Sequence, residues 1–169
     1  MQRLRGFFYL FLLFGSFSVE SMAQITATAS ASACIVAPLG ISKAVDLDFG
    51  NVGAGAANGI VKLNPDGSRE QTGGASLPSV SGTVTAASFT VTGEPDCAYY
   101  IMLPGALTLS NGAENMTVDS FSSNPVSTGT IGPAGSQTLT VGASLNVDAM
   151  QPLGDYISLN EFPVTINYN

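Results

Sequence analysis

Gln137-Thr138-Leu139-Thr140-Val141-Gly142-Ala143-Ser144-Leu145-Asn146-Val147 alternates side-chain character along its whole length. A period of two puts Leu139, Val141, Ala143, Leu145 and Val147 on one face of an extended chain, with mostly polar residues on the other. That is the pattern of a strand buried on one side and wet on the other, which antiparallel sheets allow and parallel sheets rarely do. Ser88-Phe89-Thr90-Val91-Thr92 repeats it, with Phe89 and Val91 facing one way and the hydroxyls the other.

Working outward, further candidate strands are Ile25 to Val36, Ala44 to Phe49, Gly59 to Leu63, Val80 to Val84, Ala98 to Leu103, Leu107 to Leu109, Met116 to Phe121 and Asp155 to Tyr168. Between them lie turn sequences that act through proline's fixed φ, glycine's freedom or the Asx side chain: Asn64-Pro65-Asp66-Gly67, Gly93-Glu94-Pro95-Asp96, Pro104-Gly105, Asn111-Gly112, Asn124-Pro125, Gly132-Pro133 and Gln151-Pro152. Leu107 to Ser110 and Met116 to Val118 form a hairpin around Asn111-Gly112. No segment has the length and period of an amphipathic helix. Many short strands joined by polar turns predict a single all-β domain, an antiparallel β-sandwich of immunoglobulin-like type.

The chain opens on Met1-Gln2-Arg3-Leu4-Arg5, continues with 14 almost wholly apolar residues from Gly6 to Val19, and then offers small residues in Ser21-Met22-Ala23. This order of basic, apolar and small-residue regions predicts an export signal over residues 1–23, cleaved before Gln24. The apolar stretch is short of the roughly 20 residues that span a bilayer, so stable membrane insertion is not expected. Residues 24–169 then form the domain, exported to the periplasm and onward to the cell surface or medium. They carry three Lys and Arg against eleven Asp and Glu, a net charge of −8. Such a balance disfavours nucleic acid and anionic lipid, which need clustered cations.

Cys34 and Cys97 are the two cysteines. In an exported chain, one intramolecular disulfide is the plain expectation. It would close a loop of about 64 residues and contribute about 4 kcal/mol by the loop-entropy model. A metal site or a catalytic thiol lacks the additional Cys or the His that either chemistry requires.

No catalytic, cofactor-binding or metal-binding set emerges. The run Gly53-Ala54-Gly55-Ala56-Ala57-Asn58-Gly59 lacks the following helix that a phosphate loop needs, and reads as a flexible loop. Asp46, Asp48 and the turn from Asn64 to Glu70 offer oxygens but not the spacing of a calcium loop, and Arg69 sits among them. With no histidine in the chain, no hydroxyl has an evident activating base, so an enzyme is not expected. Asn115-Met116-Thr117 matches a glycosylation acceptor but lies in a strand.

Four stretches carry a family resemblance: Ile25-Thr26-Ala27-Thr28-Ala29-Ser30-Ala31, Asp46-Leu47-Asp48-Phe49-Gly50-Asn51-Val52, Ala87-Ser88-Phe89-Thr90-Val91-Thr92-Gly93-Glu94-Pro95, and Gly154-Asp155-Tyr156 through Val164-Thr165-Ile166-Asn167-Tyr168-Asn169. Together they resemble the DUF4402 domain proteins of bacteria over nearly all of residues 24–169. That family is in turn similar to the major subunits of chaperone–usher fimbriae, especially the CS1-like pilins, with their Thr/Ala-rich first strand and Gly-x-Tyr ending.

The pilin resemblance implies a sandwich lacking one strand, completed by the leading segment of the next subunit. Residues 24–33 would be that donor, with Ile25, Ala27, Ala29, Ala31 and Ala33 pointing inward. Gly154, Tyr156 and Tyr168 would serve assembly of the C-terminal strand. Pro163 interrupts that strand's donors, and Gly154 stands 15 positions before the end, a longer interval than the pilin pattern. The implied partners are copies of the same chain, a periplasmic chaperone and an outer-membrane usher, and the implied role is a fimbrial subunit in adhesion or biofilm. Two alternatives stay open: residues 25–33 complete the chain's own sheet or remain flexible, and the protein is a monomeric surface module that binds a glycan or protein.

Overall fold

In the computed structural model, residues 25–169 are described, so the export signal expected over residues 1–23 lies outside them. Every regular element in the described residues is a strand: β1 (Gly40–Val45), β2 (Gly53–Leu63), β3 (Arg69–Ser76), β4 (Ala87–Thr92), β5 (Ala98–Met102), β6 (Ala106–Ser110), β7 (Asn115–Asn124), β8 (Thr128–Thr130), β9 (Ser136–Val147), β10 (Ile157–Ser158) and β11 (Thr165–Tyr168). All pairings are antiparallel. The chain is an all-β sandwich of a large and a small sheet.

β9 is the trunk. One of its edges pairs β4 along Ser136–Val141 and then β2 along Ala143–Val147; its other edge pairs β7. β1 continues the sheet beyond β4, β6 and β10 continue it beyond β7, and β3 pairs β2. The small sheet has the order β11-β5-β8.

The alternation that defined β9 and β4 is realised. Leu139, Val141, Ala143, Leu145, Val147, Phe89 and Val91 are buried, and Thr90 and Thr92 are exposed. These side chains build two clusters. One joins β4 and β9 to Tyr99 and Ile101 of β5 under the small sheet. The other, around Val61, Leu63, Val118 and Leu145, lies under irregular chain. The hairpin at Asn111-Gly112 also forms, through a four-residue connection in which Asn111 Oδ1 accepts the Ala113 and Glu114 N–H groups at 3.0 and 2.7 Å.

Several expectations are corrected. Residues 25–34 carry no strand and are exposed. The expected Cys34–Cys97 bridge is not shown, and both cysteines are free thiols in this structure. The glycine run is part of β2, not a flexible loop, because β3 approaches it so closely that a Cβ on Gly59 or Gly74 would meet the facing backbone. β3 itself, polar and rich in glycine, is held by backbone pairing and gives no apolar alternation to read. Val80 to Val84 is irregular, with a single bridge from Asp48 to Thr85 nearby. The expected strand from Asp155 to Tyr168 is two, β10 in the large sheet and β11 in the small one. Pro163 lies between them, where a ladder would need the N–H it lacks.

Candidate functional site: an open groove in the sandwich

The small sheet covers only part of the large one. Beyond it, the inner faces of β4, β6, β7 and β9 floor a groove of about 1000 Å³. For comparison, a cavity of ~150 Å³ holds a benzene and ligand clefts run to ~1,000 Å³. Its floor is core: Phe89, Met116, Val118, Leu145 and Val147 all line it.

One wall is chain from Lys43 to Val52, and it is firmly tied. Arg69 of β3 donates through Nη1 to the carbonyls of Phe49 (2.6 Å) and Asn51 (3.0 Å). Asp48 and Thr85 exchange backbone hydrogen bonds, and the Thr85 hydroxyl donates to Asp46 O at 2.8 Å. The opposite wall is Gln151–Phe162. At its end the Phe162 ring packs edge-on to Phe89, 6.5 Å between centroids, and tilted against Phe121 at 5.2 Å.

The groove opens beside a seam. β1 pairs only with β4 and β11 only with β5 among the described residues, so each offers one unpaired backbone edge. Lys43 near the end of β1 faces Glu161 before β11 at 3.8 Å. The Asp46 carboxylate, hydrogen-bonded to Lys43, holds the ammonium pKa above its ordinary value. At the far end of the seam the Tyr168 hydroxyl donates to Ala37 O at 2.8 Å and accepts the Glu94 N–H at 2.7 Å. Gly93 makes room for it: a Cβ there would stand 2.5 Å from Tyr168 Oη.

The expected site residues therefore separate. Tyr168 belongs to the C-terminal strand and fastens it within the chain. Gly154 and Tyr156 lie instead in the groove wall, Gly154 at φ +152°, where an added Cβ would meet the Asn111 side chain. Ile25, Ala27, Ala29, Ala31 and Ala33 are exposed in a stretch without regular structure. Cys34 is exposed and Cys97 half-buried. The residues that floor the groove were legible as core but not as uncovered core, because alternation shows which face is apolar and not what lies on it. Arg69 gave no sequence signal beyond its charge. As for metal, Asp66 spends its carboxylate on the Ser68 N–H and hydroxyl in its own turn, which lowers its pKa, and Asp48 accepts from the Gly50 N–H at 2.8 Å.

Among known protein families, the model described as Domain of unknown function (DUF4402) matches residues 39–168. No curated protein and no solved structure matches the chain.

Proposed function

This chain belongs to the DUF4402 domain family, and from its uncovered groove and unpaired strand edges we propose that it is an exported structural subunit of a bacterial fimbria or similar surface filament. Copies join by β-strand addition: residues 25–33 of one subunit enter the groove and seam of the next. The observation that carries this reading is the groove itself, floored by core side chains and opening beside two unpaired strand edges. An added strand supplies what both lack, backbone donors and acceptors for an edge and side chains for the floor. Residues 25–33, extended at about 3.3 Å per residue, would reach ~30 Å. Their alanines bury little area, so backbone hydrogen bonds contribute much of the stability of the joint.

In this reading a periplasmic chaperone occupies the groove before assembly, an outer-membrane usher orders the subunits, and the filament serves adhesion or biofilm contact. Deleting residues 24–33 tests it. Negative-stain microscopy and heat-resistant ladders on gels should show filaments from the intact chain and none from the deletion; filaments from both would end the donor idea. The size of the groove also suits a second reading, a monomeric binding module for a glycan or protein. That module would remain a single particle at every concentration.

A further inference from the structure

The two walls of the groove are held very differently. Lys43–Val52 is fixed by Arg69 and the Asp48–Thr85 bridge. Gln151–Phe162 is held mainly at its ends: Met150 N–H donates to Gly55 O at 2.8 Å, Gln151 Nε2 reaches Asn115 O at 3.3 Å, and Phe162 packs on Phe121. Between these anchors it has two β10–β6 residue pairs, one 3.3 Å bond from Leu159 N–H to Thr108 O, the half-buried Tyr156 against the core and the exposed Glu161 carboxylate 3.8 Å from Lys43. The Tyr156 hydroxyl bonds to Gln151 and Pro152, inside the same segment. A second hollow of about 370 Å³ separates the stretch after Leu159 from β6. A wall with hollows on both sides forgoes dispersion contacts on both, and belongs to the least stable part of a fold.

The same wall displays apolar side chains. Leu153 and Ile157 stand at the rim of the groove, 99% and 70% exposed. In the free chain these large side chains bury little, yet they border an apolar space. An incoming strand with alanine at four of its five inward positions would leave part of that space empty.

We infer that Gln151–Phe162 is a flap, hinged near Gln151 and Phe162, that closes onto the inserted strand and brings Leu153 and Ile157 against it. The inference rests on the strand-insertion reading and assigns the bulk that the donor lacks to the acceptor. The occupant is residues 25–33 of a second copy, which alternate with a period of two and are exposed and without regular structure in this chain. Because Leu153 and Ile157 gain contacts only in the closed state, they bias the flap toward closure only when the groove is filled.

The test uses the monomeric chain and a fluorescent peptide of residues 25–33. Peptide binding should slow amide exchange in residues 151–162 by about tenfold or more and leave residues 46–52, outside the β1 edge, little changed. The double variant Leu153→Ser, Ile157→Ser should bind the peptide about tenfold more weakly or worse. Its own unfolding midpoint should stay that of the parent, since both side chains are exposed. Val126→Ser, at another exposed apolar position, should do neither. If the peptide binds the variant as tightly as the parent and exchange in 151–162 does not change, the flap is overturned and strand insertion stands. A peptide that does not bind at all removes the occupant and overturns both.

Discussion

At the scale of single residues, Tyr168 and Gly93 act as one device. The phenol closes two hydrogen bonds across 131 and 74 residues of chain, and the glycine leaves the space in which it does so. Tyr168→Phe should cost about 1–3 kcal/mol by leaving both backbone partners without the hydroxyl. Gly93→Ala should cost about 1–3 kcal/mol through the forced shift of Tyr168 and of Leu39, which the new methyl would approach at 3.1 Å. Urea unfolding of the double variant decides whether they are coupled: removal of the hydroxyl relieves the clash, so the combined loss should be smaller than the sum. Tyr99 supplies the pH dependence. It is fully buried, donates to Gln137 Oε1 at 2.7 Å, and burial raises its pKa above the ordinary 10.0. The folded state then holds the phenolic proton more tightly than the unfolded one. This contribution to stability is complete below pH 10 and is lost as pH rises through the raised value. In chemical denaturation from pH 8 to above 10, Tyr99→Phe should be less stable throughout and lose less stability over the alkaline part than the parent.

At the scale of elements, β9 concentrates the stability of the sheet, since it is the strand that β2, β4 and β7 share. Leu139 is fully buried in it, and Leu139→Ala should lower the unfolding free energy by about 2–5 kcal/mol. A loss under 1 kcal/mol in urea would mean that the strand is not the trunk described. β9 and β4 were also the most legible elements, because Leu139, Val141, Phe89 and Val91 alternate strictly and the fold buries them accordingly. β3 was illegible for the opposite reason: Thr72, Gly73, Gly74 and Ser76 have little to bury, and backbone bonds to β2 define the strand. The end of the chain was legible as extended but not as divided. Pro163 marked the break, but nothing local showed that Ile157 would join one sheet and Ile166 the other. Tyr156 was consequently expected in a strand and Gly154 just ahead of it, and both lie in the groove wall.

At the scale of the whole molecule, the class was readable from many short alternating strands, whereas the groove was not. An uncovered stretch of core is a property of which layer is missing, and that depends on where the irregular segments settle. The proposed assembly brings together copies whose residues 24–169 each carry a net charge of −8. Their mutual repulsion should slow the encounter, and salt should screen it. Polymer growth followed by light scattering should therefore accelerate between roughly 0.01 and 0.15 M salt, over which the screening length falls from about 30 to 8 Å. Slowing with added salt would place attractive ion pairs at the joint instead. Since Ala37, three residues before β1, shares a hydrogen bond with Tyr168, the last residue of β11, the approach to the first strand and the end of the last are neighbours. The polypeptide can be relinked there and reopened at Asn111-Gly112, and such a circular permutant should keep the sandwich while its new ends emerge at the β6–β7 turn, far along the sequence from the seam.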